Sequence, residues 1–455
     1  MGLPNGMWCS ALLRNLAPAV SLAVLTSAAP MNSSAGPDSS AASSASTPAV
    51  DQSPQPQVVE CAQLHPSPGW PVWIKDYRTS ARTEETSGIA YVGRDVEGRR
   101  CFFLIDDVGA FHFCRVAQKA DSGEVTLFLE PVGIDQSLLD DLNLNEKLDF
   151  EALSLDPRAL TQSSSRRDGN GTSGSTWAPG DKSSGTSGFS SDREDEVGAA
   201  DLQGDAFPDT LPGILSIEGR GRDFQERTRV LSVRFIRTRN PYEGLGETTL
   251  WRVASLGDAI AETRFWRRSV ASNRGFEGLG ISDRYYFLGL ESLDAKGELN
   301  LYGTVLFIYD RVSAKVAAVR TKPLGIHSIT GMLAINDTVT VLVDRSRQAI
   351  CVLKWDAQPS AQLRSCHRFP LDLPGPGGFR YAIPAVEGLT VDGDGDLWCV
   401  TDPWRGHYRV VGTAPESIHV YLAAELPMMY RFSGDPVWEA VGLTSLWGAD
   451  DGTEP

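Results

Sequence analysis

Four stretches of this chain align one above another: "TSGIAYVGRDVEGRRCFFLIDD" (86–107), "RGFEGLGISDRYYFLGLES" (274–292), "SITGMLAINDTVTVLVDRS" (328–346) and "AVEGLTVDGDGDLWCVTDP" (385–403). Each runs from a polar residue through Gly and an apolar residue into a short strand, a polar turn, a second strand and a closing acid. A fifth copy is split. "KLDFEALSLDP" (147–157) supplies its first strand, with Ala152 where the others carry Gly, and "GILSIEGR" (213–220) supplies its second. A unit repeated in this way constrains the fold strongly, because one hairpin cannot bury its apolar surface alone and must stack on its neighbours.

Gly278 and Gly331 are 53 residues apart, and Gly331 and Gly388 are 57 apart. One four-stranded antiparallel blade takes roughly 40–50 residues. The expected fold class is therefore all-β, a β-propeller. Five copies are visible, and the stretches 225–265 and 408–447 with 61–80 offer material for one more, so the expectation is six blades, with five or seven as alternatives. A β-sandwich gives no reason for a repeat of this length. The turn residues Asp392, Asp394 and Asp396 resemble the start of a calcium loop, but the sixth position is Leu397 and the twelfth Pro403, where such a loop needs Gly and Glu. They read as a hairpin turn.

Two tracts fall outside the repeat. Residues 29–60 begin as a Ser, Ala and Pro tract, and 158–210 contain "SSSRRDGNGTSGSTWAPGDKSSGTSGFSSDREDE". Both are expected to be disordered, since so few large apolar side chains cannot offset the entropy of ordering. The second interrupts a hairpin turn, where added chain costs little. The domain expectation is a signal peptide at 1–28, a linker at 29–60, a propeller at 61–448 and a tail at 449–455.

The signal reading rests on Arg14, the apolar run "LAPAVSLAVL" and the small residues of "TSAAP". It implies an extracytoplasmic protein, secreted or periplasmic, with no transmembrane segment in the mature chain. Six cysteines remain, an even number that permits disulfides. Cys101 with Cys114 and Cys351 with Cys366 lie symmetrically about candidate turns, which leaves Cys61 to bridge to Cys399. Buried reduced thiols are the alternative.

In a propeller the first strand of each blade lines the channel and the second returns beside it. Strand starts and returning strand ends thus share a face. Glu151, Glu277 and Glu387 should ring one channel mouth, with Ser87 and Thr330 at the equivalent places. Asp106 or Asp107, Glu218, Glu291, Asp344 and Asp402 should gather one shell out. Converging carboxylates are costly unless protons or a cation neutralise them, and hard oxygen ligands suit Ca²⁺. The proposed metal ligands are Glu151, Glu277, Glu387 and Asp344. Arg220, Arg274, Arg345, Arg405 and His407 are the candidates to hold a small anionic ester substrate. In the competing reading the acids accept backbone N–H bonds and close the ring of blades.

The net charge of −16, without a Lys/Arg cluster, argues against a nucleic-acid partner. There is no G-x-S-x-G elbow, no phosphate-binding G-x-x-x-x-G-K-[ST] loop, no H-E-x-x-H zinc helix and no C-x-x-C pair.

"SNRGFEGLGISDRYYFLGLESL", "SITGMLAINDTVTVLVDRS" and "VEGLTVDGDGDLWCVTD" together resemble the phytase-like propeller family known for esterase-like activity of phytase. There an N-R-G-x-E-G-L segment, an acid-ended strand and a later E-G-L segment recur in this order. The resemblance covers roughly 84–405, apart from the 160–210 tract. It implies an exported, calcium-dependent hydrolase of phosphate or other esters, with Glu277 and Glu387, and further Glu151 and Asp344, in the family's places. A non-catalytic propeller that binds a ligand or protein is the alternative function. The sequence departs from the family at Ala152, where Gly is expected, and at Asp344-Arg345, where the family shows Glu-Arg. It lacks R-H-G-x-R-x-P, which excludes the histidine acid phosphatase chemistry.

Overall fold

A computed structural model describes residues 55–79, 82–83, 85–107, 109–133, 149–158, 210–218, 228–236, 275–291, 303–356, 362–381, 385–402, 410–411, 416–423 and 426–447. The expected signal peptide, most of the linker, the 159–209 insertion and the tail lie outside the described residues. Among those described, no helix is long and apolar enough to cross a membrane.

Two strands, β1 (Gln57–Glu60) and β2 (Val72–Trp73), come first along the described chain. The first blade follows as β3 (Thr86–Arg94), β4 (Arg100–Asp106), β5 (Ala110–Gln118) and β6 (Val125–Val132). Blade 2 has β7 (Phe150–Leu155), β8 (Thr210–Ile217) and β9 (Arg229–Ile236), and blade 3 has β10 (Phe276–Ile281), β11 (Tyr285–Leu290), β12 (Val305–Asp310) and β13 (Lys315–Arg320). Blade 4 comprises β14 (Gly331–Asn336), β15 (Val339–Asp344), β16 (Ala349–Trp355) and β17 (Leu363–Pro370), with β1 added in parallel on its outer edge. A two-stranded ribbon pairs β18 (Arg380–Tyr381) with β21 (Val410–Val411). Blade 5 is β19 (Ala385–Val391), β20 (Leu397–Asp402) and β22 (Met428–Phe432), completed by β2.

The inner strands close a ring: β3 lies against β7 and β19, β10 against β7 and β14, and β14 against β19. The molecule is a five-bladed β-propeller. The five copies of the repeat are the five inner hairpins, and residues 159–209 fall between β7 and β8 along the chain. The material set aside for a sixth blade is used otherwise. β9 is the third strand of blade 2, and β2 and β22 finish blade 5. β1 also begins four residues before the expected start of the domain and pairs Val58 with Cys366.

The sequence folds this way because both faces of each blade are covered. β4 reads "RCFFLID", and every residue after Arg100 is buried. Alternate side chains of one strand therefore serve two different interfaces. Phe103 enters the core between blades 1 and 2, where its ring stacks on Phe235 at 4.2 Å, whereas Phe102 and Leu104 enter the core shared with blade 5 beside Trp398. Five such clusters, one per blade interface, hold the ring together. Such strands read as continuous apolar runs because no face is left to water.

The disulfide expectations meet free thiols: all six cysteines are unbonded. Cys101 stands opposite Arg115 while Cys114 stands opposite Phe102. That one-residue offset sends the two sulfurs to opposite faces of blade 1. Cys351 and Cys366 do share a face, offset diagonally because Cys351 opposes Arg368 and Cys366 opposes Leu353. Cys399 opposes Leu389 and Tyr430 inside blade 5, whereas Cys61 sits past β1 at the edge of blade 4 and donates to the Val59 carbonyl.

Candidate functional site

Four inner strands open with the same irregularity. The antiparallel register slips between Thr86 and Gly88, Phe150 and Ala152, Phe276 and Gly278, and Val386 and Gly388. The residue left over at each slip is Ser87, Glu151, Glu277 or Glu387. A bulge leaves one residue unpaired and re-aims its side chain. Here it takes the acid out of the blade interface, which the strand's other side chains fill. Blade 4 has no slip at this level, and Thr330 precedes β14. The two hydroxyl residues stitch the ring: Ser87 Oγ donates to the Phe150 carbonyl at 2.5 Å and Thr330 Oγ1 to the Val386 carbonyl at 2.6 Å. Each binds the residue just before a bulged glutamate of a neighbouring blade.

The glycine after the bulge lets the inner strands approach. A Cβ on Gly388 would lie 2.9 Å from the Ile89 nitrogen and 3.0 Å from Gly88 Cα, and one on Gly331 would lie 2.9 Å from the Glu387 carbonyl oxygen. At this level the channel narrows to a cavity of about 10 Å³ among Ser87, Glu277, Glu387 and the neighbouring glycines. That is room for about one water.

Around this constriction the carboxylates converge. Glu151, Glu277 and Glu387 are each only 7% exposed. Asp107, Asp149 and Glu151 bring one oxygen apiece within 4.8 Å of one another. Burial pushes Glu151 well above the ordinary carboxylate range, and the charges of Asp107, Glu218, Glu277 and Asp149 add to the effect. Asp107 is raised likewise, first by burial and then by Asp402, Asp149 and Glu387. Glu277 is raised by burial and by Glu291. Burial lifts Glu387 to about 7, opposed by Arg345 and reinforced by Asp402.

Among the described residues one guanidinium, that of Arg345, answers this charge. Arg345 donates through Nη1 to Glu387 Oε1 and through Nη2 to Glu291 Oε1, tying blades 3, 4 and 5. Glu218 accepts the N–H of Gly275 and so links blade 2 to blade 3. Among the buried carboxylate oxygens of the described residues that keep no hydrogen-bond partner, two belong to this cluster, Asp107 Oδ1 and Glu277 Oε2. An unpaired buried oxygen is expensive and is a place where a cation or proton belongs.

The structure brings Glu151, Glu277 and Glu387 to one mouth. It does not bring Asp344 there. That residue is fully buried, and its Oδ2 accepts the His327 N–H at 3.3 Å, with Arg347 rather than the ring acids among its charged neighbours. Its sequence neighbour Arg345 reaches the ring instead, with both arms engaged by glutamates rather than open to a substrate. Arg220, Arg274, Arg405 and His407 lie outside the described residues. Of the Asp106–Asp107 pair, Asp106 turns to His112 at 3.4 Å and Asp107 joins the cluster. Asp149 escaped the sequence reading. Its signal is the alternation Asp149-Phe150-Glu151, which sets two acids on the same side of a strand around a buried aromatic.

No protein-family model and no curated protein matches the chain. Solved structures similar to it over most of their length include a luciferin-regenerating enzyme, at 9% identity and TM-score 0.34 over 80% of this chain and 96% of that one. A GH43 β-1,3-galactosidase with galactodeoxynojirimycin is similar at 10% identity and TM-score 0.37, over 78% of this chain and 92% of that one. A GH43_1 enzyme of Xanthomonas citri complexed with xylose is similar at 7% identity and TM-score 0.36, over 77% of this chain and 88% of that one. Likenesses of this size carry no activity to this chain, and the propeller rests on its own strand order.

Proposed function

We propose that the protein is an extracytoplasmic, calcium-dependent hydrolase of phosphate or other esters, of the phytase-like kind, acting on a small anionic substrate at the acidic channel mouth. What carries the reading is the set of Asp107, Asp149 and Glu151 oxygens within 4.8 Å of one another, beside the unpartnered Glu277 Oε2. Two oxygens bound to one Ca²⁺ at about 2.4 Å lie at most about 4.8 Å apart, so this spacing fits a shared ion. Bound there, Ca²⁺ would supply Lewis-acid polarisation of the ester oxygen.

The protein's own residues do the rest. Asp107, Asp149 and Glu151 would hold the ion. Arg345 fixes Glu291 and Glu387 in place and lowers the cost of their charges. Glu277, raised by burial and then by Glu291 and with its Oε2 unpartnered, is suited to take a proton from an attacking water where it is ionised.

The engaged arms of Arg345 favour a second reading, a ligand- or protein-binding propeller in which the acids are structural. Hydrolysis of p-nitrophenyl phosphate, p-nitrophenyl acetate and phytate, with Ca²⁺ and with chelator, separates the two. The hydrolase reading expects turnover that needs Ca²⁺ and drops at least about 100-fold in Glu277→Gln, within the 10²–10⁴ span of acid–base catalysis. Ca²⁺ binding by calorimetry without turnover of any of the three would leave the binding propeller.

A further inference from the structure

The opposite mouth of the channel has a different chemistry. Beyond the constriction the five inner strands diverge around a cavity of about 780 Å³. Every blade contributes an apolar wall: Ile89, Leu155, Ile281, Leu333, Ile335 and Val391. Trp447 closes one side, its ring beside Trp438 at 5.5 Å. The volume falls inside the roughly 300–1,000 Å³ of small-molecule sites, which are likewise mostly apolar with a few polar groups.

Charge at the rim is already satisfied. Arg94 pairs with Asp394, and Arg100 reaches Asp392 and Asp394 at 2.5 Å. Inside, the polar groups of the described wall are the hydroxyls of Ser154, Thr390 and Tyr91 and the indole N–H of Trp447, and Thr390 Oγ1 already accepts the Tyr91 N–H at 3.1 Å. A charged ligand would find no unpaired counter-charge on the described walls and would lose its hydration. The enclosure by five strands and a floor closed to about one water favours a small molecule over a folded partner.

We propose that this mouth is a second site, distinct from the acidic one, that binds an uncharged, mainly apolar small molecule. Burial of an apolar ligand against these side chains supplies the affinity, and the hydroxyls orient it. The site does not depend on the hydrolase reading, because it shares none of the carboxylates.

The test uses the full chain and the neutral fluorophore N-phenyl-1-naphthylamine. The expected result is saturable binding of one dye per chain. It should weaken at least ten-fold in Ile335→Glu, which sets a charge in the wall, and in Leu333→Trp, which partly fills the cavity while staying apolar. Leu333→Met with Ile335→Val should keep affinity within about three-fold. Should Ile335→Glu fail to fold, the filling and conservative variants still decide. The absence of saturable binding, or equal binding in Leu333→Trp, overturns the proposal. It is also overturned if dye binds only after residues 160–208 are replaced by a short Gly/Ser linker, since the insertion leaves the fold beside Pro157 on this rim and would then be the occupant.

Discussion

Two oxygens of Asp392 hold the hairpin between β19 and β20. Oδ1 accepts the N–H groups of Asp394 and Asp396 at 3.0 Å each, while Oδ2 takes Trp398 Nε1 at 2.9 Å and Arg100 Nε at 2.5 Å. Asp95 does the same in blade 1, accepting from the backbone of Glu97 and Arg99. Asn336 caps the turn of blade 4 through Thr338. The acid run that resembles a calcium loop is therefore a turn whose carboxylate serves backbone and a cross-blade arginine. Asp392→Ala leaves the Trp398 indole N–H and the turn N–H groups without their acceptor while the half-buried Arg100 keeps Asp394, and losing hydrogen bonds to a charged acceptor costs about 1.5–3 kcal/mol. Urea unfolding should show a midpoint shift of that size with the slope unchanged, and calorimetry should show Ca²⁺ affinity as in the parent. A drop in Ca²⁺ affinity would instead place the aspartate run among the metal ligands.

At the scale of elements, bulge and glycine act as one device: the bulge turns a side chain into the channel, and the glycine lets the next blade come close. Gly388→Ala would set Cβ 2.6 Å from Val400 Cγ2 and 2.9 Å from the Ile89 backbone. Backbone on one side leaves little room to relax, so overpacking should cost about 1–3 kcal/mol. At the matching place in blade 2 Ala152 already carries a Cβ, and Ala152→Gly should cost no more than about 1 kcal/mol through backbone entropy. Parallel thermal melts of the two variants check the contrast, and equal losses would show that the close approach is not special to Gly388. This device was legible in the sequence as the Glu-Gly alternation, which is why Glu277 and Glu387 were found. Strand register was not. The hairpin β4–β5 centres so that Asp106 opposes Ala110, one residue away from the symmetry that would face Cys101 to Cys114. Nothing in "IDDVGAF" fixes a one-residue shift, yet such a shift exchanges the two faces. The same limit explains why Asp344 and Arg345 exchanged roles: the end of β15 decides which of two adjacent side chains meets the ring, and both are polar.

Over the whole molecule, the repeat revealed the inner hairpins but not how outer strands are shared out, because β1 and β2 pair with blades 4 and 5 across more than 300 residues of sequence. Local pattern carries no trace of such pairings, so spare strands looked like a sixth blade. The electrostatic consequence of closing five blades was also invisible until the acids met. Burial and mutual repulsion hold Glu387 near 7 and Asp107, Glu151 and Glu277 well above the carboxylate range. A carboxyl raised by folding contributes stability that is full below its unfolded value, about 4.3 for Glu, and is lost as pH rises through the folded value. Asp310, held low by its bonds to Arg284, works in the other sense, losing its contribution only as pH falls below about 4. The two windows do not overlap. In chelator, the melting temperature should therefore fall between pH 5 and pH 8. Ca²⁺ at 100 times its dissociation constant should restore about 2.7 kcal/mol at pH 8, and much less at pH 5 where protons occupy the same oxygens. Glu151→Gln with Glu277→Gln removes two of the raised groups, so it should flatten the pH dependence in chelator and abolish most of the Ca²⁺ effect. A melting temperature that is flat or rises from pH 5 to pH 8 without Ca²⁺ would mean that the ring acids are paired inside the fold, and the acidic mouth would then be a structural joint rather than a metal site.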